Sequence, residues 1–242
     1  MFFQKIKLYM KALLRAKRYD NIVMLGYNCE IAYRFFRQYK FIDSSLFAWT
    51  YVPFEQLKYF FESPEKVGVG EFSFGYGMFT CENSGIAFHG RTDWSGVNDV
   101  NQIDKELVET EKKELRSRIS YLKDKFFKYS TDGKKTLYIR KISAPEAVSS
   151  DLNDNINWLY RKLQSFCSND FKLLLVIEKQ YENNVKISNS NIILRTVEKY
   201  SNDKCVTSRN EGDKFGWRLI FTEFRPAKTK KYSKKLKFEV IN

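Results

Sequence analysis

The chain has 242 residues, 43% hydrophobic and 17% aromatic, which suits one large α/β domain or two small ones and excludes wholesale disorder. No apolar run nears the roughly 20 residues of a membrane-spanning helix. The formal net charge of +13 gathers in residues 5–18 and in the stretch from Arg225 to Lys237; anionic lipid, nucleic acid or an acidic polymer would suit such a surface, and a plain solvated face accounts for it equally well.

In chain order, residues 2–18 read as a basic amphipathic helix. Phe3, Ile6, Met10, Leu13 and Leu14 fall near one face at three- and four-residue spacings. Such a helix lies on a membrane surface or docks on its own core, and core docking or a partner helix is the commoner outcome. Lys5, Lys7, Lys11, Arg15, Lys17 and Arg18 interrupt it, and no small-residue cleavage site follows. It therefore does not read as a signal peptide, and the expected location is the cytoplasm, with the inner membrane face as a peripheral option. Three regions follow: a basic N-terminal helix over 1–20, a single α/β domain over 21–226, and a basic tail over 227–242.

Residues 21–26 predict a first strand, apolar enough to be buried on both faces. A helix starts near Asn28, with Ile31, Ala32, Phe35 and Phe36 inward. Residues 41–53 predict an aromatic-rich loop or short extended piece, and Pro53 opens a helix to Phe61. Gly68 to Gly90 is glycine-punctuated with alternating Phe72, Phe74 and Tyr76, which predicts short strands. A long charged helix spans 102–128. Strands are predicted at Leu137–Ile142, Leu173–Glu178, Asn191–Val197 and Trp217–Phe224, with Asp151 capping a helix that runs to Phe166. Strands alternating with helices define an α/β fold: a mostly parallel open sheet flanked by helices, with a small aromatic-rich β excursion.

The chemistry concentrates at Ile22-Val23-Met24-Leu25-Gly26-Tyr27-Asn28-Cys29-Glu30. An apolar run stops at a glycine, and three residues later a cysteine opens a helix. The first turn of a helix carries unpaired N–H groups and partial positive charge, which favour a thiolate, the reactive form of cysteine. The N–H groups of Cys29 and Glu30 are also suited to a developing oxyanion. The alternative for Cys29 is a small buried core residue. There is one histidine, His89, so a cysteine–histidine site has one candidate base. Asp93 is the nearest partner in sequence to orient it, with Asn83, Asn210 and Asp213 as alternatives.

Ligands in open parallel sheets sit beyond the carboxyl ends of the strands. Asn28 and Cys29 after the first strand, Arg140, Lys141 and Ser143 at the end of the second, and Lys179 and Gln180 past the third fall on that rim. Gly26 and Asn28 are candidate substrate-binding residues, with Arg140 suited to a substrate carboxylate or phosphate. The four cysteines form no C-x-x-C pair, so no metal site is expected. No dinucleotide fingerprint and no Walker loop occur, so no cofactor is expected. The aromatic segment 72–79 has too little basic charge to stack single-stranded nucleic acid, and nucleic acid is not an expected partner.

Leu25, Gly26, Cys29, Trp49, Phe88-His89, Leu137-Tyr138-Ile139-Arg140 and Phe215-Gly216-Trp217, in that order, resemble the pattern of a bacterial family of papain-like cysteine peptidases, a domain class of unknown function. The resemblance spans roughly residues 20–222. It implies Cys29 and His89 as the catalytic pair, and it adds Trp49 and Trp217 to the substrate-binding residues. Two positions depart from the pattern: Ala48 stands where an aspartate often precedes the tryptophan, and Gly90 where one often follows the histidine. The strand–Gly-x-x-Cys turn also resembles one in some capsule and surface-polysaccharide enzymes, where a cofactor-linked acyl group is implied as ligand. The expected function is a thiol-dependent hydrolase or acyl transferase acting on an acyl or peptide substrate. The alternative is a non-catalytic binder of an anionic glycan precursor or acyl carrier.

Overall fold

A computed structural model describes residues 2–40, 43–90, 97, 103–201 and 212–227. Its elements in chain order are α1 (Phe2–Leu14), β1 (Lys17–Tyr19), β2 (Asn21–Met24), α2 (Glu30–Tyr39), β3 (Thr50–Tyr51), α3 (Phe54–Glu62), β4 (Phe72–Gly75), β5 (Met78–Cys81) and β6 (Ala87–His89). Then follow α4 (Lys105–Thr131), β7 (Thr136–Lys141), α5 (Ala144–Ala147), α6 (Leu152–Phe166), β8 (Phe171–Glu178), β9 (Ile192–Val197), α7 (Lys214–Glu223) and β10 (Phe224–Pro226).

The main sheet is parallel, in the order β2-β7-β8-β9. Alternation along its strands builds two cores. Leu25, Tyr138, Leu173 and Leu175 face α4 and α6, while Met24, Leu137, Ile139, Leu174 and Val176 face α2 and α7. Both faces are covered, so the central strands read as continuous apolar runs. The α/β class expected from the pattern is the class observed.

The aromatic excursion is a second, antiparallel sheet in the order β3-β6-β5-β4. Phe72, Phe79 and Phe88 pack it into the α4/α6 core, where Phe47, Phe60 and Phe126 meet edge to face. Such contacts contribute beyond their buried area.

Two segments differ in kind from expectation. Trp217–Phe224, read as a strand, is helix α7 as far as Glu223, and β10 begins only at Phe224. Trp217, Ile220, Phe221 and Phe224 are buried at i, i+3, i+4 and i+7, a helical spacing that overrides the β preference of aromatic and branched residues. Asp213 caps the helix through its carboxylate, which accepts from the Gly216 N–H at 2.8 Å. Asp151 stands before α6 as expected but makes no side-chain capping bond. The helix expected over 2–18 ends at Leu14, and Lys17–Tyr19 forms a short parallel ladder with β10. The basic tail lies outside the described residues, except for Ala227.

Candidate active site

Gly26 takes φ +78°, a conformation that L side chains adopt only at a cost. A Cβ there would meet Val52 Cγ1 at 2.2 Å. The glycine thus lets the chain leave β2 against Val52. Asn28 then turns its side-chain oxygen onto the Glu30 N–H at 3.1 Å, and Cys29 sits at the N-cap of α2, its carbonyl accepting from Tyr33 N–H at 2.9 Å.

His89 comes from the other sheet, at the end of β6. Its N–H donates to the Trp49 carbonyl at 3.4 Å, and its carbonyl accepts from the Arg118 guanidinium. Although 60 positions apart in sequence, Cys29 Sγ lies 3.1 Å from His89 Nε2. That is within reach for proton transfer.

The electrostatics differ from the expectation of a thiolate held by the helix terminus. Burial, the largest influence, pushes the Cys29 thiol up to about 12; its own backbone N–H and the Lys141 ammonium act the other way and are outweighed. Desolvation disfavours the charged form more than the terminus favours it. A neutral thiol is therefore the resting form at neutral pH. The Glu30 N–H, expected to face an oxyanion, is engaged by Asn28.

Beneath the thiol lies a charged network that the sequence reading did not assign. Glu30 is fully buried. Its carboxylate accepts from Lys141 Nζ at 2.9 Å, Arg34 Nη2 at 3.3 Å, Trp217 Nε1 at 3.1 Å and the Ser201 N–H at 3.1 Å. Lys141 Nζ also donates to Asn28 Oδ1 at 3.3 Å and lies 4.1 Å from the Tyr200 ring centroid. One carboxylate thus ties the first turn of α2 to β7 and α7. The available signal was Lys141, a charge closing the apolar strand β7, together with Glu30 directly after the cysteine.

The remaining predicted residues are placed as follows. Gly26 and Asn28 shape the junction. Trp49, partly buried, holds His89 through its carbonyl. Trp217 is buried against Phe221 and donates its indole N–H to Glu30, so its side chain is not exposed to a substrate. Arg140, expected as a substrate anchor, is fully buried. It donates to the carbonyls of Leu25 (2.8 Å) and Val52 (2.7 Å) and to Glu146 Oε1 (2.5 Å). Strand alternation is the reason: Arg140 follows Tyr138 on the α4/α6 face, and interior acceptors engage the guanidinium. Asp93 and Asn210 lie outside the described residues. Asn83 donates to the Val69 carbonyl and Asp213 caps α7.

Among the described residues, no three His, Cys, Asp or Glu side chains gather as metal ligands. A depression of about 540 Å³ over the ends of β8 and β9 is walled by Glu178, Lys179, Gln180, Glu198 and Lys199. No family model, curated protein or solved structure matches this chain.

Proposed function

We propose that the chain is a thiol-dependent hydrolase or acyl transferase, with Cys29 as nucleophile and His89 as base. The 3.1 Å contact between Sγ and Nε2 carries this reading. His89 Nε2 takes the thiol proton as Sγ bonds to the substrate carbonyl carbon. Collapse of the adduct breaks the bond to the leaving group, which takes that proton from His89, and a thioester on Cys29 remains. Water or an acceptor hydroxyl then attacks the thioester, with His89 removing its proton and returning it to the departing thiolate. A resting thiol fits this sequence, because the charge forms only as the proton moves. The substrate on this reading is an acyl or peptide group, or an anionic small molecule carrying one. The place of work is the cytoplasm or its membrane margin.

The test is residue-resolved alkylation by iodoacetamide at neutral pH. Cys29 should be modified faster than Cys81, Cys167 and Cys205. His89→Asn should slow Cys29 by about a hundredfold or more, the low end of general-base effects. Equal, slow modification of all four thiols, unmoved by His89→Asn, would refute it.

The upward push of burial on the thiol favours a second reading, a binding protein for an anionic glycan precursor or acyl carrier. Binding that falls steeply with salt and is unchanged in Cys29→Ser would support that reading.

A further inference from the structure

Helix α1 buries the wrong half of itself for a helix that serves only the core. Its inward side is made by Tyr9, which is partly covered, and Ala12, which is buried. That side is fastened to α7: Lys5 Nζ lies 5.4 Å from the Phe215 ring centroid, and the Arg218 guanidinium 5.1 Å from that of Tyr9. The opposite side exposes a row of large apolar residues. Phe3 is 84% and Leu14 83% accessible, with Ile6 and Met10 also exposed between them. At 3.6 residues per turn, these four fall within an arc of about 80°. Lys7 and Lys11 follow along one border of the arc. Residues 2–18 hold six cations (Lys5, Lys7, Lys11, Arg15, Lys17 and Arg18) and no acid.

We infer that the row Phe3-Ile6-Met10-Leu14 is a docking surface for an anionic lipid bilayer. An apolar row bordered by cations matches a headgroup layer above acyl chains, with side chains inserted and ammonium groups among phosphates. A second copy of the chain fits less well. A two-fold contact through this row would bring together two segments that each hold six cations and no acid, and like charges oppose such pairing. Because α1 is already fastened to α7, the surface is formed before it meets a membrane, and little ordering entropy is spent on binding. The inference is independent of the thiol chemistry, and Cys29→Ala should leave it unchanged.

The test is co-sedimentation of the full chain with vesicles. Phosphatidylcholine vesicles containing phosphatidylglycerol should bind it, and pure phosphatidylcholine should not. The exposed triple variant Phe3→Ser/Met10→Ser/Leu14→Ser, checked by circular dichroism to be folded, should lose at least about tenfold in partitioning. Lys7→Glu/Lys11→Glu should lose binding while leaving the apolar row intact. Equal binding to neutral vesicles, or undiminished binding by the triple variant, would overturn the inference. So would absence of binding to the anionic vesicles, whether or not a concentration-dependent dimer that the triple variant abolishes takes its place.

Discussion

The buried carboxylate of Glu30 offers the sharpest test of how the candidate site is held. In Glu30→Gln the side chain keeps its shape and an oxygen for the Trp217 and Ser201 donors, so the change removes mainly charge. Lys141 and Arg34, at 2.9 Å and 3.3 Å from that carboxylate, then lose their counter-ion inside the protein. Breaking a buried pair in this way costs about 3–5 kcal/mol. The retained acceptor places this case at the low end, about 3 kcal/mol. For a domain of this size that corresponds to a fall of roughly 6–12 °C in melting temperature. Adding Lys141→Met removes one of the stranded cations. The double variant should therefore be less damaged than the sum of the singles, with a coupling of at least about 1 kcal/mol. Denaturant titration followed by tryptophan fluorescence measures all four corners of the cycle. A loss below about 1 kcal/mol for Glu30→Gln, with additive behaviour in the double variant, would show that this network does not hold α2 to β7.

Gly26→Ala should cost about 2–4 kcal/mol, from the left-handed backbone plus the 2.2 Å approach of its Cβ to Val52; a melting temperature within a degree or so of the parent would contradict this. Arg140→Met should cost about 3 kcal/mol or more, because it removes the cationic partner of Glu146 and the donor to two interior carbonyls; thermal unfolding checks it, and a neutral result would mean that these three bonds do not hold the segments together. Stability should also fall at high pH. Burial pushes Tyr19, Tyr39 and Cys29 each up to about 12 from ordinary values of 10 and 9. Above those ordinary values the unfolded chain releases protons that the folded chain retains, so stability is full below about pH 9 and declines towards pH 12, by on the order of 5 kcal/mol. A melting temperature that stays level to pH 11.5 or so would contradict the assignment.

What could be read in the sequence was what short-range pattern determines. The apolar runs of β7 and β8, the stripe on α4 and the Gly-x-x-Cys junction each announce themselves within a few residues. Helix α7 was missed because Trp217 to Phe224 has the composition of a strand, while its burial repeats at helical spacing. Arg140 was misplaced because the face a strand residue takes depends on where the sheet sits between its layers. The Glu30–Lys141 pair joins positions 111 apart, and no local signal connects them. Naming His89 as base required only that the chain has one imidazole. Setting it beside Cys29 required the β3-β6 pairing, with Thr50 opposite Phe88 and Tyr51 opposite Ala87.

The sulfur and the imidazole belong to different sheets, and each is delivered by its own stretch of backbone. The 3.1 Å contact therefore exists only while the small antiparallel layer is seated beside α2. A change that loosens that layer would part the two side chains without touching either one.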